Sequence, residues 1–397
     1  MGAVMSQKIK QLLMKKQSVQ NIKKGNPLIT EKDIQNIDVW AEGEIVHLID
    51  AQTKQFLAKA LLGKQNRAIG WVFTRQKDVH LDATFFEKVL LQAIQKRDKM
   101  TIHSNAYRLF NGESDGLGGL TIDLYDKVAI FSWYTVALYQ YAEQIITCFK
   151  ALMPNCQSIY EKARYEKAHF DTRFVLGVPQ DKITISENDV KFSTFMNEGL
   201  MTGIFLDQRE IRKYLKAHAM GKTVLNTFSY TGAFSIAAAM GGAKQSVSVD
   251  VANRSIEKTE AHFALNNISM DNHRCYVMDV FDYFNYAKKK KLAFDWVILD
   301  PPSFARTKKR TFSVVKDYKS LLQDAIALTE PNGHIIVSTN AANFSVMDFE
   351  KMIDTAFKEL EQSYRIQRIF RLPQDFTTLS TLEQTNYLKV YIVQVRK

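Results

Sequence analysis

The chain has 397 residues, 46% of them hydrophobic, and a formal net charge of +11. That length excludes a single small module, and that apolar content excludes a disordered or low-complexity chain. The basic excess favours contact with a polyanion, nucleic acid or anionic lipid, without choosing between them.

Cys148, Cys156 and Cys275 are too few and too irregularly spaced for a disulfide framework or a zinc site, and they read as reduced thiols. His103 and His169 have no ligand spacing, so no metal is expected. The start has no apolar core of secretory length and no later run approaches the roughly 18 apolar residues of a membrane span, which predicts a soluble, cytoplasmic protein.

Alternating apolar residues predict strands over 44–50, 55–61 and 68–73, a small β-rich unit. Residues 85–96 carry apolar side chains at helical spacing, with Asp82 or Thr84 as cap, and read as a linking helix. Strands over 120–124 and 128–134, a helix over 138–152, and strands over 158–160 and 182–186 follow. Beyond residue 200 strand and helix alternate: strands end near Phe228, Asp250, Val280 and Asp300, with helices to Met240 and Asn267 between them. A helix over 315–328, a Pro331-Asn-Gly turn, a strand over 334–339, a helix over 345–360 opened by Ser345 and Asp348, and strands over 365–371 and 387–395 complete the chain. These elements predict a β-rich domain over 1–80, a linking helix and central α+β domain over 81–195, and a doubly wound α/β domain with a parallel sheet over 196–397.

In such a sheet ligands bind beyond the carboxyl ends of the strands, which singles out four places. The first is the turn Ser229-Tyr230-Thr231-Gly232, where Gly232 would let a ligand approach the backbone; one glycine where a dinucleotide fingerprint needs three argues against NAD or FAD. The second is Asp250, a carboxylate able to accept both hydroxyl hydrogen bonds of a ribose. The third is Asp279 with Val280, an acid and an apolar neighbour suited to an adenine. The fourth is Asp300-Pro301-Pro302-Ser303-Phe304, a stiff turn whose prolines present their carbonyls, with an aromatic beside the acid. The cations Arg306, Lys308, Lys309 and Arg310 follow it and would hold RNA phosphates at the mouth of the site. The Lys288–Lys291 run reads as a solubilising helix end.

These four places, in this order, resemble a class I S-adenosylmethionine (SAM) dependent methyltransferase. The segments 202–212, TGIFLDQREIR, and 111–120, NGESDGLGGL, are similar to the bacterial large-subunit rRNA methyltransferase I family. The resemblance covers nearly the whole chain. It implies an N-terminal PUA domain for RNA binding, a Rossmann-like methyltransferase domain, SAM as cofactor, 23S rRNA as partner and a homodimer, on which last the residues are silent. It also implies that Gln208 and Arg209 complete the methionine end of the cofactor site.

The founding members of that family make 5-methylcytidine, which needs a cysteine thiolate to add to C6. They place it just after the strand equivalent to 334–339, where this chain reads Val337-Ser-Thr-Asn-Ala-Ala-Asn-Phe344. No cysteine stands there. The Asp300-Pro-Pro-Ser-Phe, Ser338-Thr-Asn and Leu372-Pro-Gln-Asp-Phe segments resemble instead the relatives that make 7-methylguanosine, a reaction that needs alignment of N7 with the methyl group but no nucleophile. The expected site therefore has the base against Phe304, meeting Asp300 and the Pro301 and Pro302 carbonyls, with Asn340 or Asn343 reading its edge. Two other readings remain: cytosine C5 methylation, and an RNA-binding or ribosome-assembly protein whose methyltransferase fold is inactive.

Overall fold

In the computed structural model, which describes residues 9–36, 40–306 and 311–396, tertiary contacts group the chain into two units. One takes in Met1–Ile183, Phe195–Thr202 and Gln374–Thr385; the other takes in Thr184–Thr194, Gly203–Pro373 and Asn386–Lys397.

In the first unit, β1 (Gln11–Met14), β2 (Leu28–Ile29), β3 (Ile45–Asp50), β4 (Phe56–Gln65) and β5 (Ala68–Thr74) form a sheet in the order β1-β3-β4-β5-β2, with helix α1 (Lys16–Lys23) between the first two strands. Its three central strands are those the alternation predicts. β1, α1 and β2 escape sequence reading because each is too short to display a period. Helix α2 (Ala83–Asp98) starts at Asp82, whose carboxylate accepts from Phe85 N at 3.1 Å. It buries Phe85, Phe86, Val89 and Leu90.

A second sheet is built from β6 (Ala106–Asn111), β7 (Leu120–Tyr125), β8 (Val128–Trp133), β9 (Ser158–Ala163) and β10 (Thr172–Gly177), in the order β10-β9-β8-β7-β6. The helix expected over 138–152 is two pieces, α3 (Val136–Tyr139) and α4 (Ala142–Leu152). Leu61 and Phe73 from the first sheet join the core of α2 and the second sheet, while most of the first sheet's buried residues, among them Val46, Leu48, Ala60 and Ile69, form a core of their own. Arg97 makes a bidentate pair with Asp115 (2.8 and 2.7 Å) and donates to the Asp375 carbonyl, while Asp375 Oδ2 accepts from Arg108 N. The Leu372-Pro-Gln-Asp-Phe376 segment thus ends in an anchor of this unit, with every charge in it hydrogen-bonded, as burial requires.

The second unit contains most of the hairpin β11 (Lys182–Glu187) and β12 (Val190–Phe195), followed by the alternation. Its strands are β13 (Thr223–Thr227), β14 (Gln245–Asp250), β15 (His273–Val277), β16 (Phe294–Leu299), the short β17 (Phe304–Arg306) and β18 (Thr311–Ser313), then β19 (Thr329–Thr339), β20 (Ser363–Phe370) and β21 (Lys389–Arg396). Helices α5 (Arg209–His218), α6 (Ala233–Met240), α7 (Asn253–Leu265), α8 (Val280–Lys289), α9 (Val314–Ala327) and α10 (Val346–Glu359) connect them. The seven-stranded sheet has the order β15-β14-β13-β16-β19-β21-β20. The first five strands are parallel; β21 is antiparallel to both its neighbours.

Both faces are covered, and β16 shows it: Trp296 and Ile298 belong to one apolar cluster, Val297 and Leu299 to the other. The Pro331-Asn-Gly turn lies inside the start of β19 as a bulge. Phe294 pairs with Thr329 and Trp296 already with His334, and Asn332 takes the left-handed conformation at φ 62°. Ser345 caps α10 by accepting from Asp348 N at 3.0 Å.

Candidate active site

The strand order reverses at β13, which has β14 on one side and β16 on the other, so the carboxyl ends of these strands form the topological switch point. After β13 the chain makes a turn in which Phe228, Tyr230 and Gly232 all have positive φ (52°, 50° and 75°) before α6 begins. Asp250, at the tip of β14, holds that turn: Oδ2 accepts from Tyr230 N at 2.9 Å and Oδ1 from Ala252 N at 3.0 Å. Each carboxylate oxygen keeps a further acceptor position.

Thr231 and Ser229 are buried, and Thr231 Oγ1 donates to the Gly203 carbonyl at 2.6 Å. At Gly232 a Cβ would lie 2.4 Å from Thr259 Cγ2 on α7, so helix packing together with the left-handed backbone requires the glycine. His262, which the sequence reading did not single out, is fully buried. It accepts from Ser193 N at 2.9 Å through Nε2, which leaves Nδ1 protonated to donate to the Thr231 carbonyl at 2.9 Å.

Asp279 is the N-cap of α8, its Oδ1 accepting from Phe281 N at 3.0 Å, and its other oxygen has no protein partner among the described residues. Val280 is buried in the core, so it offers the site its backbone N–H, one of the orphan donors of a first helical turn, and not its side chain. Val251, directly after Asp250, is 55% exposed, an apolar side chain open at the end of β14.

At the tip of β16, Asp300 Oδ1 accepts from Ser338 Oγ at 2.7 Å and from Gln208 Nε2 at 3.0 Å, and Gln208 Nε2 also reaches Ser338 Oγ at 3.0 Å. Both donors converge on one carboxylate oxygen. Burial pushes the Asp300 carboxyl up to about 6; the Ser338 hydrogen bond opposes the shift, nearby Asp207 adds to it and Arg212 works against it. Tyr318, fully buried on α9, places its hydroxyl between the Leu299 and Ser338 carbonyls (3.1 and 2.7 Å) and so ties the ends of β16 and β19 together. Gln208 is 4% exposed, and its Oε1 is buried without a hydrogen-bond partner. Such an acceptor is costly unless a ligand donor completes it.

The segment carrying Gln208 is fixed from several sides. The Tyr230 hydroxyl accepts from Gly203 N, Arg212 donates to the Phe205 carbonyl, and Tyr387 donates to Asp207. Arg212 is itself held by a buried bidentate pair with Glu187 at 2.7 and 2.7 Å, a contact between the β11–β12 hairpin and α5 that no spacing in the sequence announces. Arg209 is 1% exposed, with Glu210 3.6 Å from its Nε.

Beyond Asp300, Pro301 is buried, Pro302 and Ser303 are exposed, and Phe304 is 64% exposed at the start of the β17–β18 hairpin. Ser303 Oγ donates to Asn340 Oδ1 at 2.8 Å, joining the segments that follow β16 and β19. Asn343 is exposed as well. Arg306 ends β17, whereas Lys308, Lys309 and Arg310 lie outside the described residues. Strand adjacency therefore brings Gln208, Ser229–Gly232, Asp250, Asp279, Asp300 and Asn340 to the same edge of one sheet.

Residues 131–381 match the family described as S-adenosylmethionine-dependent methyltransferase, and residues 12–75 match a PUA-like domain. The chain belongs to the SAM-dependent methyltransferase family. The methyltransferase is 46% identical over 97% of its length to the whole of YwbD of Bacillus subtilis (strain 168), a protein named for large-subunit ribosomal RNA methylation. It is 29% identical over 97% of its length to 99% of ribosomal RNA large subunit methyltransferase I of Yersinia pestis bv. Antiqua (strain Angola). The crystal structure of SMU.776, described as a methyltransferase complexed with SAH, superposes with a TM-score of 0.92 at 41% identity, covering 98% of this chain and 100% of that one. The Rossmann-like fold with an N-terminal PUA-like domain, and the dependence on SAM, follow. The donor set fits that cofactor chemically: Gln208 Oε1 is buried without a hydrogen-bond partner, and Asp250 and Asp279 keep open acceptor positions that an ammonium and hydroxyl groups could fill. No described helix is long and apolar enough to cross a membrane.

Proposed function

We propose that this methyltransferase modifies a base of large-subunit (23S) ribosomal RNA, at guanine N7. Relatives aligned over nearly their whole length are named for methylation of large-subunit ribosomal RNA, and the net charge of +11 suits a polyanionic substrate. The choice of N7 rests on one observation: the segments after β16 and β19 present Asp300, Phe304 and Asn340 but no thiol. Cys275 lies mid-strand in β15, opposite Ser248, with its thiol pushed up to about 11 by burial; Cys148 and Cys156 belong to the other unit. Cytosine C5 would need a thiolate.

In this reading Asp250 takes the ribose hydroxyls, Asp279 and the Val280 N–H take the adenine edge, Val251 covers a face, and Gln208 Oε1 accepts from the ammonium of the methionine end. Arg209, buried beside this segment, acts by holding it. SAM supplies an electrophilic methyl group, whose transfer to N7 moves a positive charge onto the purine and releases no proton. The Asp300 carboxylate faces that growing charge through its Oδ2, because both protein donors occupy Oδ1. Phe304 offers a stacking surface for a base drawn out of its RNA stack. The PUA-like domain and the cations Arg306, Lys308, Lys309 and Arg310 serve phosphate contact.

Mass spectrometry of nucleosides from unmodified 23S rRNA incubated with the enzyme and SAM tests this reading. It should yield 7-methylguanosine. A 5-methylcytidine product would replace the N7 chemistry with that of cytosine, and no methylation of any RNA would favour an inactive, assembly-type protein.

A further inference from the structure

The side chain of Asn340 has a direction. Its Oδ1 is turned to the Ser303 hydroxyl at 2.8 Å, while its amide N–H groups, two donors, have no protein partner among the described residues. The backbone on either side is fixed. The Ser303 carbonyl accepts from Val314 N at 3.2 Å. Next to Asn340, the Ala341 carbonyl accepts from Lys389 Nζ at 3.1 Å and from Phe344 N at 3.2 Å, and Ala341 N donates to Thr339 Oγ1 at 3.2 Å. Both side chains are exposed, so neither serves the packing of the fold.

We infer that Ser303 is a positioning residue which turns Asn340 into a hydrogen-bond donor toward the target base, and that this donor makes the site choose guanine over adenine. The inference rests on the proposed purine N7 chemistry. An asparagine amide free to use both its groups suits adenine, accepting from the 6-amino group and donating to N7. With Oδ1 already accepting from Ser303, the amide N–H groups are the part of the side chain left without a protein partner among the described residues. What remains is an N–H donor, whose partner on the same purine edge is the O6 of guanine; adenine presents a second donor there and is repelled. Donation to O6 also leaves the N7 lone pair unoccupied, as its attack on a methyl group requires. Asn340 therefore orients the base, and Asp300 answers the charge that develops.

The experiment uses full-length enzyme and 23S rRNA transcripts carrying guanosine, inosine, which keeps O6 and N7, or 2-aminopurine, which keeps N7 and lacks O6, at the modified position. Wild type should methylate guanosine and inosine alike and 2-aminopurine at least about tenfold less well in kcat/KM, the scale of one unpaired polar group. S303A should lower kcat/KM on guanosine about tenfold and narrow the gap to 2-aminopurine, S303T should restore both, and N340D, which cannot donate when ionised, should lose the discrimination. SAM affinity and thermal melting should stay those of wild type throughout, because both positions are exposed. An S303A enzyme with unchanged kcat/KM and unchanged discrimination overturns the inference alone. A wild-type product other than 7-methylguanosine overturns the N7 reading and this inference together, and is seen before any variant is made.

Discussion

Replacing Asp300 by Asn separates the part this residue plays in chemistry from its effect on stability. The carboxyl is raised from an ordinary 3.8 to about 6 by burial, a difference of about 2 units and hence ~3 kcal/mol between its ionised and neutral forms in the fold. Well below pH 3.8 it is protonated in folded and unfolded chains alike. Between about pH 4 and pH 6 the unfolded chain ionises while the folded chain does not, and wild type loses stability that D300N, unable to ionise, retains. The amide oxygen still accepts from Ser338 and Gln208, so the hydrogen-bond geometry is kept. Denaturant unfolding at pH 4.5 and pH 8 should therefore show the stability of D300N relative to wild type growing by ~2 kcal/mol between them, with little change above pH 7. In parallel, D300N should lower kcat far more than it changes SAM affinity. A stability difference that does not vary with pH, or one that runs the other way, would refute the reasoning.

D250A removes the acceptor proposed for both ribose hydroxyls, at ~1 to 1.5 kcal/mol each, so calorimetry should find SAM binding weakened roughly 30- to 150-fold; unchanged affinity would remove Asp250 from the cofactor site. G232A forces a side chain into a left-handed position, which costs about 1–2 kcal/mol before the clash with Thr259 is counted. Its melting temperature should fall, and T259A in the same chain should recover part of the loss; a G232A protein as stable as wild type would refute the crowding argument. Replacing Cys148, Cys156 and Cys275 together by Ala should leave methyl transfer intact, and RNA containing 5-fluorocytidine should form no covalent adduct. A triple variant that is folded but inactive would return the chemistry to a thiol.

The alternation of strand and helix beyond residue 200, the acids at strand ends and the Asp-Pro-Pro turn were legible from sequence, because hydrophobic period and turn chemistry are local properties. So were the centre of the first sheet and the cap at Ser345. What the chain could not display locally is what distant segments do to one another. Gly232 reads as an opening for a ligand, yet Thr259 fills the space its missing side chain leaves. Val280 reads as an apolar adenine neighbour, yet its side chain is in the core, which leaves only its backbone for such a contact. His262, Glu187 and Tyr318 carry no motif, and they become important only because the fold brings α7, the β11–β12 hairpin and α9 against the strand ends. The convergence of Ser338 and Gln208 on one oxygen of Asp300, and of Ser303 on the carbonyl of Asn340, is likewise tertiary. Hydrogen-bond direction depends on which groups meet in space, and sequence spacing specifies only which groups exist.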